Sequence, residues 1–222
     1  MERALLVLAS NSPRRRQLLT LSGWPFTLAP ADVDERQLPG ESPSAYVLRL
    51  AEAKARAAAA GCDPDQIVIG ADTTVVDGGA ILGKPADKAE AGSMLRQLRG
   101  HTHLVYTSLA ALRVRDGLLF TDLCTTDVPM RAYADEEIDA YVASGDPLDK
   151  AGAYAIQHPD FQPVESMTGC YASVMGFPLC HLVRLLRRFD IAPVTDVAAN
   201  CQEFLQYECP VSRSILSGEP VV

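Results

Sequence analysis

An arginine-rich turn follows the first apolar segment of the chain. Ser12 and Pro13 are residue types that cap and begin a helix, and Arg14, Arg15 and Arg16 come directly after them. The start of a helix attracts anions, and arginines are unfavourable there unless they bind something negative. The pattern indicates either an anion site or a solvated basic turn, and local physics favours the two equally. It is not a Walker A phosphate loop, because its glycines and lysine are absent.

A carboxylate follows the strongly apolar segment at positions 66–71. Asp72 lies in the sequence GADTT, at the point where we expect a buried strand to end. Ligands of α/β proteins bind at the carboxyl ends of strands, and a carboxylate there can hold a divalent cation or polarise a water. Taken alone, such a residue is more typical of a capping side chain in a bend.

Two lysines occupy positions from which an anion could be bound. Apolar residues recur at helical spacing between positions 47 and 58, and Lys54 falls within that apolar face. A lysine there must extend to solvent or pair with an anion, and the second interpretation is favoured. Lys84 stands between Gly83 and Pro85, where it could reach a phosphate as a point charge, although most such lysines are simply solvated.

Two further polar groups have weaker signals. The sequence DKAGAYAIQ at 149–157 ends in Gln157, whose amide could recognise a base edge. A buried structural turn with a contact between Asp149 and Lys150 explains the same stretch equally well. His101 and His103 would share one face of a strand, and two side chains are too few for a metal site, so we predict a pair on the sheet surface.

The elements that must position these residues alternate between apolar strands and capped helices. Strands are predicted at 4–9, 24–29, 66–71 with a continuation over 73–76, 101–114 and 118–129. Helices are predicted at 14–22, 43–60, 86–98, 134–144, 178–189 and 197–207. The dipeptide Asp116-Gly117 predicts a hairpin between the last two strands. This mixture predicts an α/β fold with a mixed sheet.

Composition limits the classes of partner. The 222 residues carry a net charge of -8, and only 6% of them are aromatic, which argues against an extended nucleic-acid surface. No apolar run is long enough to span a membrane. The six cysteines show no C-x-x-C spacing, and no secretory signal is recognisable, so we expect a cytoplasmic protein with reduced thiols.

The motifs also occur together in one order. They read LASNSPRRRQLL, VDE, RLAEAKA, GADT, LGKP, GHTH, DKAGAYAIQ and GFPL. This series closely resembles the Maf, or septum-inhibition, family of nucleotide pyrophosphatases over about 5–189. The resemblance implies an elongated mixed sheet with flanking helices and two lobes around a nucleotide-binding cleft, as in inosine triphosphatases. It also implies a homodimer, a family domain over 1–189 and a C-terminal extension over 190–222 whose role it does not explain.

The resemblance implies a role for each motif residue. The acidic pair that holds a divalent metal, Mg²⁺ or Mn²⁺, together with the attacking water is Glu35 and Asp72, with Asp72 as the general base. The residues that contact the triphosphate are Ser10, Arg14, Arg15, Lys54 and Lys84. The positions that match specificity-setting residues of the pyrimidine branch are Arg14, Thr73 and Gln157. The implied reaction is hydrolysis of dTTP and UTP to the monophosphate and pyrophosphate, with modified pyrimidine nucleotides as further substrates.

Alternatives to this interpretation remain open. Ala155, His158 and Cys170 depart from the usual family pattern, which concerns the shape of the loop beside the base. One alternative is a nucleotide-binding regulator of cell division without turnover. Another is an enzyme that acts on 7-methyl-GTP or on purine nucleotides. A nucleic-acid-binding role for the arginine-rich turn is disfavoured by the acidic net charge.

Overall fold

The computed structural model describes residues 5–219 and contains a six-stranded mixed sheet with helices packed against it. The strands are β1 (Leu6–Leu8), β2 (Phe26–Leu28), β3 (Ile67–Asp77), β4 (Ala80–Leu82), β5 (Thr102–Arg113) and β6 (Leu119–Pro129). The helices are α1 (Pro13–Thr20), α2 (Pro43–Ala59), α3 (Lys88–Leu98), α4 (Asp135–Ser144), α5 (Tyr171–Val174), α6 (Leu179–Arg187), α7 (Val197–Leu205) and α8 (Ser212–Ser217). The predicted α/β class is confirmed.

The sheet is organised around β3. The order of strands is β2-β1-β3-β5-β6, with β4 paired to β3 outside this path. The first residues of β3 pair in parallel with β1, whereas its last residues pair antiparallel with β4. Since β5 pairs with β3 over nearly the whole length of both strands, the middle of β3 faces a strand on only one side. Side chains from elsewhere can therefore reach its backbone.

The predicted helix starts are confirmed where a cap defines them. The hydroxyls of Ser12 and Ser42 accept from the backbone N–H groups of Arg15 and Ala45, at 3.4 and 3.3 Å. These bonds satisfy donors that the first turn of a helix leaves unpaired. The start predicted for α3, at position 86, was two residues too early, because the carboxylate of Asp87 caps the helix that begins at Lys88. The other boundaries differ by at most two residues from those predicted, and position 4 lies outside the described residues.

Two sequence predictions about β3 and β5 were wrong. Asp72 does not follow a strand but lies in the middle of β3, opposite Ser108 of β5. His103 is not on the sheet surface, because it is buried and hydrogen-bonds the hydroxyl of Tyr154 at 2.9 Å. His101 is exposed and pairs with Asp77. Strand β3 continues through Asp72 because β5 pairs with it along that stretch, and His103 is covered by the segment that carries Tyr154.

Helix α2 packs on the sheet at unusually short range because residue 70 is a glycine. A Cβ atom at Gly70 would overlap the carbonyl oxygen of Ala51 and would lie 2.9 Å from the backbone nitrogen of Ala55. Both obstacles are backbone atoms of α2, which cannot move by a side-chain rotation. Ser108 strengthens the contact by donating to the carbonyl of Val47 at 2.6 Å.

The described part of the C-terminal extension, 190–219, packs against the rest of the chain. It contains α7 and α8, and the helix predicted at 197–207 is confirmed as Val197–Leu205. Trp24 donates from its indole nitrogen to the carbonyl of Ala192 at 3.0 Å, and Asn200 donates to the carbonyl of Leu21 at 3.0 Å. No helix in the described part of the chain is long and apolar enough to cross a membrane.

Substituting Gly70→Ala tests the close approach of α2. We expect the free energy of unfolding to fall by about 2–3 kcal/mol, since overpacking against fixed backbone forces α2 away from β3. This change is measured by urea unfolding, from the shift in the midpoint when the dependence of the free energy on urea concentration is unchanged. The control is Gly61→Ala, where a Cβ meets nothing within 4 Å and no change beyond about 0.5 kcal/mol is expected. Equal stabilities of the two variants would contradict the packing argument.

Candidate functional site

Two carboxylates share one lysine at the face of β3 that α2 covers. The Nζ atom of Lys54 lies 2.6 Å from Oδ1 of Asp72 and 2.7 Å from Oε1 of Glu35. Lys54 and Asp72 are nearly buried, with side chains 11% and 9% exposed, whereas the Glu35 side chain is 53% exposed. The structure therefore brings together three of the predicted site residues, two anions around one cation.

Local structure explains why these groups meet. Lys54 follows Ala51 by three positions on α2, so it lies on the face that contacts β3 beside Gly70. Asp72 is two residues beyond Gly70 and points to the same side of the strand. Glu35 comes from the loop before α2, which is held by the hydroxyl of Tyr46 donating to the Glu35 carbonyl at 2.8 Å.

The pKa values of the two carboxylates shift in opposite directions, although Lys54 lowers both. Burial raises the pKa of Asp72 above its ordinary value, and the charges of Lys54 and Arg15 offset this only in part. Burial acts in the same direction on Glu35, but its hydrogen bond to Lys54 and the nearby charges of Lys54 and Lys84 outweigh burial and lower the pKa. The difference follows from exposure, because desolvation disfavours a charge more strongly in the interior.

Arg15 continues the hydrogen-bond pattern of β3 where no strand lies beside it. The backbone N–H of Ala9 donates to the carbonyl of Ile69 at 2.9 Å, and Nη1 of Arg15 donates to the next outward carbonyl, that of Ala71, at 2.8 Å. The same nitrogen lies 3.5 Å from the hydroxyl of Ser10. A side chain from α1 thus supplies the hydrogen bond that a neighbouring strand would otherwise donate.

The other nitrogens of Arg15 tie two distant segments to β3. Nε donates to the carbonyl of Gly176 at 3.0 Å, and Nη2 donates to the hydroxyl of Thr73 at 3.3 Å. The hydroxyl of Thr107 donates to the carbonyl of Ser173 at 2.8 Å and also lies 3.0 Å from the hydroxyl oxygen of Thr73. Desolvation lowers the pKa of Arg15, with the Asp72 charge acting against it. Arg15 therefore has a structural role in addition to its predicted one.

The structure shows fewer contacts for the other predicted site residues, which are Arg14, Lys84 and Gln157. Arg14 is half-buried next to Arg15, whose pKa its charge helps to lower. Lys84 is exposed, and its charge contributes to the lowered pKa of Glu35. Gln157 is exposed, and no hydrogen bond joins it to another residue within 5–219. Its predicted contact with a base stays a prediction.

The segment before Gln157 is a structural turn. The ammonium of Lys150 lies 2.7 Å from Oδ1 of Asp149 and 3.0 Å from Oδ1 of Asp146. The contact between Asp149 and Lys150, one of the two interpretations of this stretch, is therefore confirmed. Gly152 then donates from its backbone nitrogen to the carbonyl of Gly83 at 3.0 Å, which joins the turn to the loop that carries Lys84. A Cβ at Gly152 would lie 2.8 Å from Val75.

The acidic pair has the donor chemistry that a hard divalent cation needs. In the described part of the chain no group of three or more histidine, cysteine, aspartate or glutamate side chains is arranged to hold a metal. Two carboxylates are nevertheless what Mg²⁺ commonly takes from a protein, the other ligands being phosphate oxygens and waters. Glu35 and Asp72 fit a metal that arrives with a phosphorylated substrate.

Sequence reasoning did not identify Thr107 and Gly176 as parts of the site. Thr107 supports Thr73 from the neighbouring strand, and Gly176 supplies a carbonyl to Arg15. Gly176 has a φ of +100°, and a Cβ there would lie 3.1 Å from the Thr73 hydroxyl oxygen. The glycine of the GFPL motif was the available signal, but nothing local linked it to an arginine far away in sequence.

Comparison with known proteins assigns the family. The family model described as "Maf-like protein" matches residues 5–189. The chain belongs to the Maf family. The matched region includes every residue of the candidate site and ends where the C-terminal extension begins.

Relatives cover most of the same region. A protein of Geobacter sulfurreducens named dTTP/UTP pyrophosphatase is 48% identical over 189 residues, 85% of this chain and 98% of the relative. Proteins of the same name from Hahella chejuensis and Bacillus anthracis are 47% and 46% identical, over 87% and 84% of this chain and 96% of each relative. The solved structure of the Staphylococcus aureus Ham1 protein covers 57% of this chain and 72% of its own chain, with a TM-score of 0.41 and 16% identity.

Substituting Arg15→Lys tests the structural role of the guanidinium. A lysine keeps the charge but cannot serve the carbonyls of Ala71 and Gly176 in the same fork geometry, so buried acceptors lose their partner. We expect the free energy of unfolding to fall by about 2 kcal/mol in urea. The control is Arg16→Lys on the exposed side of α1, where stability is expected to stay unchanged. A stable Arg15→Lys protein would show that the carbonyls find other donors.

Titration of the metal-free protein tests the electrostatics of Asp72. We expect its carboxyl carbon, followed by NMR, to titrate above the ordinary aspartate value of about 3.9. In Lys54→Met the midpoint should move higher still, because Lys54 lowers this pKa by its charge and hydrogen bond. Lys88→Met removes a distant exposed lysine and should leave the midpoint unchanged. A lower midpoint in Lys54→Met would contradict the assigned cause.

Proposed function

We propose that this protein is a nucleoside triphosphate pyrophosphatase, a hydrolase of acid anhydrides that converts dTTP and UTP to the monophosphate and pyrophosphate. The observation that carries the proposal is the pairing of Asp72 and Glu35 on Lys54, next to the Arg15 side chain and the start of α1. The name shared by the relatives supports the choice of substrate.

The arrangement of charges suits a triphosphate. A phosphoryl transfer reaction needs cations around the phosphate oxygens and a positioned group that takes a proton from water. Arg14 and Lys84 have no ion pair within residues 5–219 and can turn to an incoming anion. Ser10 lies in the short loop between β1 and α1, just before Arg14 in the chain. Backbone N–H groups at the start of α1 add a favourable dipole.

Asp72 is the proposed general base. Its Oδ1 atom binds Lys54, and its other carboxylate oxygen accepts no hydrogen bond from a described residue, so that oxygen can take the proton of the attacking water. A pKa raised by burial makes the carboxylate a better base than an ordinary aspartate. The bond between the α- and β-phosphates breaks, and pyrophosphate leaves.

A divalent cation, Mg²⁺ or Mn²⁺, is the proposed cofactor. Glu35 and Asp72 would hold it, and when bound it would neutralise charge on the phosphates. Lys54 then keeps the two carboxylates in place before the cation arrives. Because carboxylates beside a triphosphate are costly without such charge compensation, the acidic pair favours turnover over nucleotide binding alone.

The proposal also covers the nucleobase of the substrate, the oligomeric state of the protein and its location in the cell. Thr73 and Gln157, with Arg14, are proposed to select a pyrimidine, and Thr73 is held in place by Arg15 and Thr107. A homodimer and a cytoplasmic location are proposed from family membership. Light scattering of the purified protein tests the dimer, since a single mass corresponding to one chain would overturn it.

A substrate panel tests the reaction. Pyrophosphate release is measured for dTTP, UTP, dITP and 7-methyl-GTP with Mg²⁺, with Mn²⁺ and with a chelator. We expect metal-dependent release from dTTP and UTP. A strong preference for the other two would overturn the pyrimidine assignment. Binding without any release would favour the regulator alternative instead.

Substituting Asp72→Asn tests the base. The amide keeps the size of the side chain but cannot accept the proton, so kcat should fall by a factor of about 10²–10⁴ while much of the nucleotide affinity remains. Initial rates and calorimetric titration with a non-hydrolysable analogue separate the two effects. The control is Asp65→Asn, an aspartate whose side chain is 90% exposed. Wild-type turnover in Asp72→Asn would remove this residue from the mechanism.

A further inference from the structure

Cysteines cluster where the segment 190–219 meets the family domain. Five of the six cysteines line two adjacent cavities there, and all six are free thiols. They are Cys124 on β6, Cys170 before α5, Cys180 on α6, Cys201 on α7 and Cys209 between α7 and α8. Two of these thiols belong to the extension, for which the proposed reaction gives no role. The other three belong to the domain.

Cys170 is at the centre of the cluster. It lines both cavities, the larger of which has a volume of about 330 Å³, and it shares the smaller one with Cys209 and the larger one with Cys124. The backbone beside it is fixed, because a Cβ at Gly169 would lie 2.7 Å from a methyl carbon of Thr126 on β6. The position of Cys170 is therefore set by the domain.

The extension is anchored directly beside this thiol. The hydroxyl of Tyr207 shares its proton between the carbonyls of Gly169 and Met167, at 2.8 and 3.0 Å, and the ring of Tyr207 packs against Tyr171. The backbone nitrogen of Cys209 donates to the side chain of Gln202 at 2.9 Å. Residues on both sides of the pair are thus held independently of any bond between the sulfur atoms.

The thiols differ in reactivity. The hydrogen bond from Cys170 lowers the pKa of Cys209 to about 6, with help from backbone N–H groups and against burial. The same bonds, with burial, raise the pKa of Cys170. Burial raises the pKa of Cys180 and of Cys201 to about 12, which leaves both unreactive. Cys124 also has a lowered pKa, mainly through Cys170, but it is only 5% exposed.

We propose that Cys170 and Cys209 form a reversible disulfide that fastens the C-terminal segment to the family domain. Cys209 is half-exposed and meets the oxidant first, and Cys170, which lines the same cavity beside the Tyr207 anchor, completes the bond. This thiol site is independent of the proposed pyrophosphatase activity. It gives the extension a defined role, as a segment whose attachment responds to low-molecular-weight disulfides.

The reaction is a thiol–disulfide exchange with such a disulfide, for example oxidised glutathione. The Cys209 thiolate attacks one sulfur of the reagent, a mixed disulfide forms, and one glutathione thiolate leaves. Cys170 then loses its proton and attacks the Cys209 sulfur, which releases the second thiolate. The two cysteines lose two electrons and two protons, and the reagent takes them up as it becomes two thiols.

The experiment uses the full chain with and without oxidised glutathione, followed by alkylation, peptide mass mapping and thermal unfolding. We expect one peptide pair joined through Cys170 and Cys209, reversed by dithiothreitol. We also expect a rise in Tm of roughly 5 °C or more, because the bond restricts the unfolded chain. Cys209→Ser should lose the joined peptides and the rise in Tm, whereas Cys62→Ser, outside the cluster, should keep both.

Several outcomes would overturn the proposal. A bond between Cys124 and Cys170 would show that the buried pair reacts instead. A stable glutathione adduct on Cys209 would show that Cys170 cannot resolve it, and complete alkylation after oxidation would show that no bond forms. Because Cys209 is half-exposed, Cys209→Ser is expected to fold, and its Tm under reducing conditions serves as the check.

Discussion

A carboxylate in the middle of a buried strand is stable only beside a cation, and Lys54 provides that cation for Asp72. The pair exists because Gly70 lets the backbone of α2 approach β3, which places Lys54 within 2.6 Å of the carboxylate. Glu35, the cap of α2 and the loop before it are then fixed relative to the same point. Burying Asp72 costs free energy, and the same burial raises its pKa, which suits the role of general base proposed for it.

The edge of β3 between β1 and β4 depends on Arg15 in a comparable way. The gap between β1 and β4 leaves the carbonyl of Ala71 without a strand partner, and the guanidinium supplies the donor. Because Arg15 hydrogen-bonds three segments of the chain, it has a structural role besides its predicted contact with phosphate. Its hydrogen bonds hold α1 and the segment at 176 against β3.

Family membership and local geometry support each other but explain different things. The family model matches residues 5–189, and the relatives that cover this region have a common name. The geometry accounts for why Lys54 has to accompany Asp72 and why residue 70 has no side chain. The cysteine cluster lies at the boundary of the matched region, where the extension packs on the domain.

The sequence alone determined the α/β class, the capped starts of α1 and α2 and the pairing of Lys54 with an anion. These features depend on local signals, namely hydrophobic periodicity, capping residues and one charge on an apolar face. Tertiary structure decided that Asp72 lies within a strand, that His103 is buried, and that Thr107 and Gly176 support the site. Those facts depend on which elements cover each face of the sheet, and the contacting residues are up to 161 positions apart. No local pattern records such contacts, because a side chain's burial is set by the element that packs on it.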